Sequence, residues 1–392
     1  MSNTKFSNFK SEDGNTGPDL VGITSFTSPY YFVPPSGTTA DRPSNPVPGM
    51  LRFNTDSGRL EVWRNDHWAT ILGESSTLDG GARGVFGGNR NTPTVTSSTS
   101  SEYINIPTLG NAINFGDLTL TIALQGSCSS NTRGLFAGGY CLPSSGTGSQ
   151  RTNKITGWTF SSTGSHVDFS STIRQTTQQV SGLSNQTRGI FAGGYITSPG
   201  TPSGTTNNID YITIASVGNA VGFGDLSLRK SEFATFASST RGIFAGGYTA
   251  PTNTGTNKID YITISTTGNA VGFGDLTQAV SQSSGGGNSI RGIRMGGNLF
   301  PARSNVIDYV TIATTGNAQD FGDLLVGSIS GSQGFSMSSP TRSLYAGGFT
   351  NPAITNVIQY ITIQSTGNSI DFGDLSSVKS QFAGASNGHG GL

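Results

Sequence analysis

The octapeptide RGIFAGGY occupies residues 188–195 and returns, letter for letter, at 241–248. Working outward from it, an Arg-Gly step before a short apolar run recurs at Arg83, Arg133, Arg188, Arg241 and Arg291, and a sixth copy has Arg342 followed by Ser343. The spacings are 50, 55, 53, 50 and 51 residues. A period of that length means that one supersecondary unit is built repeatedly and buries its faces against its neighbours. Between Ser231 and Leu276 the unit reads as four strands: "SEFATFASS", "IFAGGY" ending in diglycine, "KIDYITIST" with two-residue alternation, and "VGFGDL" after a "TGNA" turn. Diglycine suits backbone that must take positive φ or approach another chain segment closely.

The third strand recurs at 102–106, 154–160, 209–214, 259–264, 307–312 and 358–363, and Phe-Gly-Asp-Leu follows at Phe115, Phe223, Phe273, Phe321 and Phe372. The second copy departs with "VDFSST" at 167–172. A period near 50 with diglycine after an apolar run is the kelch signature, one four-stranded propeller blade per repeat. The first Arg-Gly lacks a good strand before it, whereas "SSVKSQFAGAS" at 376–386 has no second strand after it. The expected fold is therefore all-β: a six-bladed kelch-like β-propeller over 79–392, closed by a C-terminal strand that removes the open edge. The repeated arginines are expected to pair with the aspartates Asp117, Asp225, Asp275, Asp323 and Asp374 of the "FGD" motif.

Residues 1–78 lack the repeat. The stretch "RPSNPVPGMLRFNTDSGRLEVWRNDHWATI" from Arg42 to Ile71 predicts a β-hairpin turning at Asp56, Ser57 and Gly58, then a third short strand, with Trp63 and Trp68 as its core. This gives a small β module over 42–78. Residues 1–41 read as an extended arm whose Tyr30, Tyr31 and Phe32 need a covering surface, on a partner or another copy of the chain.

Only 11% of residues are charged, with 22 basic and 22 acidic side chains, and glycine supplies 57 positions. So few charges disfavour surface helices, and no basic run offers a footprint for nucleic acid. No stretch approaches the ~18 apolar residues of a membrane span, and "MSNTKFSNFKSEDGNTG" predicts no secretory leader. Cys128 and Cys141 are expected to be free thiols. His67 and His166 read as surface residues, with His389 in the tail, and no metal or cofactor motif occurs. The expectation is a protein without catalytic residues or cofactor.

The "RPxxPxxGxxRFNTDSGxxEVW…W" stretch resembles a small module of fibre and appendage proteins in tailed bacteriophages. The "TRGxFAGG…IDYxTIxxTGNAxxFGDL" repeats resemble kelch-type propellers of virion proteins in marine phages. The resemblance implies a structural virion protein, a tail or head appendage forming a homo-oligomer, docked by its N-terminal arm and contacting the host surface. The alternative is a capsid fibre or decoration protein whose propeller binds another virion protein, and a glycan-active enzyme is the lesser rival. Copper-radical oxidases also use kelch propellers, yet neither cysteine has a histidine near it in the repeat register. The loops after diglycine vary most between repeats, so they form the expected recognition face. Its candidate residues are Arg90, Tyr140, Tyr195, Tyr248, Leu299, Phe300, Arg303 and Phe349, and a host surface polysaccharide is the expected ligand.

Overall fold

In a computed structural model, residues 34–71, 82–90, 98–141, 150–198, 201–250, 254–299, 302–326, 337–350 and 352–392 are described. The chain divides into two compact units, Met1–Ser75 and Ser76–Leu392. Both are built from strands, and the protein is all-β.

In the smaller unit, Leu51–Asn54 pairs with Arg59–Trp63, which pairs with Trp68–Thr70, while Ser36–Gly37 adds a parallel edge. Trp63 and Trp68 face each other with centroids 5.6 Å apart, but both are only half-buried. The buried centre is polar instead. Glu61, 2% exposed, accepts from Arg42 at 2.6 Å, Arg52 at 2.8 Å and Asn54 at 3.2 Å. Those partners, Arg42 foremost, lower the Glu61 carboxyl to about 2. The tryptophan core is thus corrected: the hairpin's two-residue alternation turns Arg52, Asn54 and Glu61 inward together.

The larger unit repeats one antiparallel sheet. The third sheet is typical, with Ser181–Ser184, Arg188–Ala192, Asn208–Thr213 and Val221–Asp225 in spatial order. Ala234–Ala237 opens the fourth sheet and Ser284–Gly287 the fifth. The second sheet is led by Gly126–Ser129, and its outer strand Val167–Thr177 pairs with Gln150–Thr159 through two register shifts, as Val271–Val280 does with Thr254–Thr263 in the fourth. In the sixth repeat Arg342–Ala346, Val357–Thr362 and Ile370–Asp374 pair, and Ser338 bridges Ser343. The first sheet combines Arg83–Gly87, Ser100–Asn105 and Ile113–Asp117 with Ala383–Ser386 from the far end of the chain.

Apolar residues are buried between successive sheets. Leu183, Ile190, Ile209 and Phe223 of the third pack with Phe233, Phe244, Ile262 and Ile264 of the fourth. The Arg-Gly glycine makes this contact possible: a Cβ on Gly242 would lie 2.7 Å from Leu183, and one on Gly292 would lie 2.0 Å from Phe236. The exception is compensated. Where Ser343 replaces glycine, the facing residue of the fifth sheet is Gly286, at which a Cβ would sit 2.2 Å from the Ser343 hydroxyl.

The repeated arginines do not pair with the "FGD" aspartates. Each donates to carbonyls at the end of the next repeat's third strand: Arg83 to Phe160, Arg133 to Ile214, Arg188 to Ile264, Arg241 to Ile312, Arg291 to Ile363 and Arg342 to Ile106. The last bond returns to the first repeat. Each guanidinium also lies over a ring of its own repeat, such as Arg241 over Tyr261 at 4.5 Å. The "FGD" backbone meets the next repeat's "TGN" turn, as where Asn269 accepts from the Asp225 amide at 3.0 Å and Gly268 donates to the Phe223 carbonyl at 2.9 Å. The ladder expectation fails because carbonyls at strand ends leave no mark in a sequence.

A different acidic position is buried. The second residue of "IDY" faces the segment that enters the first strand, where Asp260 meets Lys230 at 3.1 Å and Glu102 meets Lys379, while Asp308 meets Thr277 at 2.5 Å there and Arg294 of the adjoining second strand. Burial lowers the Lys230 ammonium against the raising influence of Asp260.

The innermost strands join through hydroxyls. Ser127 donates to Gly384 at 2.6 Å, Ser184 to Ser129 at 2.7 Å, Thr235 to Gly182 at 2.6 Å, Ser338 to Gly287 at 2.8 Å and Ser386 to Ser338 at 2.6 Å. Residues Asn387–Leu392 lie across them. His389 is 3% exposed, with Nε2 3.2 Å from the Ser184 hydroxyl and 3.3 Å from the Ser129 carbonyl, while Gly390 donates to Gly287. His166 is buried as well, stacked on Phe136 and 3.2 Å from the Ser101 hydroxyl, which corrects its reading as a surface residue. Its aromatic surroundings come from the second repeat's Trp158 and Phe136 and leave water no access. Burial lowers both imidazoles to about 4. Cys128 and Cys141 are free thiols.

Two outcomes follow from these contacts. Arg241→Ala is expected to cost about 1–3 kcal/mol in denaturant unfolding, since it removes charged hydrogen bonds to carbonyls. Asp275→Ala, whose half-exposed carboxylate meets the half-exposed Lys258, should cost no more than about 1 kcal/mol; equal losses would discount the arginine contact. The histidines set a pH response: an unfolded imidazole titrates near 6.5 and these near 4, so the unfolded chain binds more protons between those values. Stability is full above pH 6.5 and falls toward pH 4, by about 3 kcal/mol per histidine. His389→Gln should flatten that slope in unfolding curves taken across the range, and an unchanged slope would remove His389 as its source.

Candidate functional site

The side of the sheets where diglycine ends each second strand carries a repeated backbone irregularity. Two residues before the first strand, Leu124, Gln179, Glu232, Gln282 and Gln381 take φ between 56° and 60° without being glycine. Left-handed backbone is uncommon for such residues and marks positions held by their surroundings. Here the surroundings are one another. The Leu124 amide donates to the Gln381 carbonyl at 3.0 Å, Gln179 to Leu124 at 2.8 Å, Glu232 to Gln179 at 3.4 Å and Gln282 to Glu232 at 2.8 Å.

Three successive repeats then add the same set of groups. The residue before the left-handed one exchanges both backbone bonds with the residue after diglycine, joining Gln178 to Tyr195, Ser231 to Tyr248 and Ser281 to Asn298. All of these residues but Ser231 line a cleft of about 600 Å³, together with Gln179, Glu232, Gln282, Thr254, Gly255, Ala279 and Leu299. Glu232 sits in it at 4% exposure. Amides of Gln179 and Gln282 both donate to Glu232 Oε1, the second at 3.2 Å. The Tyr248 phenol is raised, chiefly by burial and then by the charge of Glu232.

Of the sequence-derived candidates, Tyr195, Tyr248 and Leu299 line this cleft. Arg90, Tyr140, Arg303 and Phe349 form inter-repeat stacks instead: Arg90 lies 5.2 Å over Tyr140 and Arg303 lies 5.5 Å over Phe349. Arg151 covers Tyr195 in the same way at 5.2 Å. Phe300, and the arm residues Tyr30, Tyr31 and Phe32, lie outside the described residues. Sequence reading missed Gln178, Gln179, Glu232 and Gln282. A polar residue at the entrance to a strand looks like any solvated turn position, and only the recurrence of left-handed backbone sets these apart.

The arrangement offers two aromatic rings, one carboxylate and several amides in a concave surface, a combination that binds polar ligands with flat apolar faces. Among the described residues no group of three or more His, Cys, Asp or Glu is placed to hold a metal ion, and no helix is long and apolar enough to cross a membrane. Gln381→Gly is expected to hold or raise the melting temperature, because glycine takes the left-handed conformation without the ~1–2 kcal/mol that a side chain costs there. Gln381→Val should lower it, and a thermal melt in which valine equals glycine would mean that the backbone relaxes. Scanned against protein-family models and searched against curated proteins, the chain matches none of them.

Proposed function

We propose that residues 79–392 form a six-bladed kelch-like propeller that binds a host surface glycan on its diglycine face, as part of a phage virion appendage. In this reading the N-terminal arm docks the protein to the particle and to other copies of itself. The observation that carries it is the cleft itself, where Tyr195 and Tyr248 stand beside Glu232 and three glutamines. Tyrosine rings cover the apolar faces of sugar rings, and amides and carboxylates meet their hydroxyls. The cycle of arginine bonds from repeat to repeat, returning from Arg342 to Ile106, supports the closed propeller. Binding is favoured over turnover because the lining holds one carboxylate, Glu232, whereas glycoside hydrolysis ordinarily needs two.

The test is an array of bacterial surface polysaccharides probed with the full chain. The Tyr195→Ala, Tyr248→Ala double variant is expected to lose about tenfold or more in binding when measured on protein shown to be folded, since Tyr195 also stacks under Arg151. Unchanged binding in the double variant would remove the cleft from the reading. An array without signal, combined with antibody labelling spread over the capsid, would turn the reading to a decoration protein.

A further inference from the structure

We propose that the sugar seated in this cleft carries a protonated amine, so that the ligand is an amino-sugar glycan. The inference rests on the glycan-binding reading above and specifies its ligand. It starts from the hydrogen-bonding direction of the lining. Glutamine amides can be turned either way, but Gln282 is fixed because its Nε2 faces Glu232 Oε1 at 3.2 Å. The reverse orientation would set oxygen against oxygen. Gln282 Oε1 is therefore an acceptor, and it is buried without a hydrogen-bond partner. Buried acceptors without donors are rare, and each favours a ligand that supplies one.

The cleft thus holds one fixed glutamine acceptor beside the Glu232 carboxylate, with no lysine or arginine among its lining side chains. An ammonium brings three donors and no acceptor, and its charge is stabilised by the carboxylate and by the ring of Tyr248. A hydroxyl brings no charge to the carboxylate, so a neutral sugar gains less there than an ammonium does. A sulfated or uronic sugar would set a second negative charge against Glu232. The geometry selects the amine.

The experiment is calorimetric titration of the full chain, at mildly acidic pH, with three β-1,4-linked tetramers: glucosamine, N-acetylglucosamine and glucose. The glucosamine tetramer is expected to bind about tenfold or more tighter than the other two, as a charge-assisted contact requires. Gln282→Leu and Glu232→Gln should each bring the three within about threefold. If Glu232→Gln fails to fold, Gln282→Leu alone carries the test, because it removes the fixed acceptor and leaves the carboxylate in place. Equal binding of the three tetramers, preference for the acetylated one, or no binding of glucosamine overturns the amine. If the array signal that depends on Tyr195 and Tyr248 persists in any of those cases, glycan binding stands and only the amine falls; if that signal is also absent, both fall.

Discussion

The contact on which the larger unit depends is a guanidinium held between two sheets. One arginine per repeat lies on an aromatic ring of its own repeat, on the third strand in all but the second, and gives its N–H groups to carbonyls of the next. Those carbonyls stand at a strand end, where the ladder no longer supplies them with donors. Lysine could reach the same place but would lose the flat face that rests on tyrosine. The contact therefore fixes the angle between neighbours as well as joining them, and it explains why the arginine, the third-strand aromatic and the turn recur together.

Polar groups lie deep in this protein because the repeat leaves little room for large side chains near its innermost strands. Glycines, alanines and serines there let backbones approach, and the hydroxyls saturate carbonyls of the adjoining strand. Farther out, the acidic residue of "IDY" meets a basic or hydroxyl group from the segment entering the first strand, as Asp260 meets Lys230 and Ser227. Losing one partner of such a pair would strand a buried charge, which costs far more than the pair itself contributes. The repeats are thus registered by polar contacts inside a body stabilised by apolar burial.

Much of the fold was legible because strand alternation and a fixed period are local signals. The strands after each Arg-Gly and through "IDYITI" lie where the pattern put them, and Ala383–Ser386 pairs with Arg83–Gly87 as the unmatched ends implied. What stayed hidden depends on distant partners. Arginine targets were misjudged because a carbonyl belongs to every residue, and His166 was misjudged because its burial depends on Trp158 and Phe136 of its own repeat. The candidate site was half visible. Tyrosines after diglycine drew notice by type, whereas Glu232 and the glutamines needed the backbone to single them out.

The pairing of Ala383–Ser386 with Arg83–Gly87 also dictates an order of events in synthesis. Arg83 and the side chain that receives its amide, Asn387, are separated by 304 residues. Until the distant strand emerges, the first sheet has an unpaired edge beside the sequence of every later repeat, each carrying a strand of nearly the same composition. A wrong repeat could pair there and trap the chain, the characteristic hazard of proteins with internal copies. The small, serine-rich innermost strands lower that hazard, since a strand with little apolar surface gains little from pairing out of place.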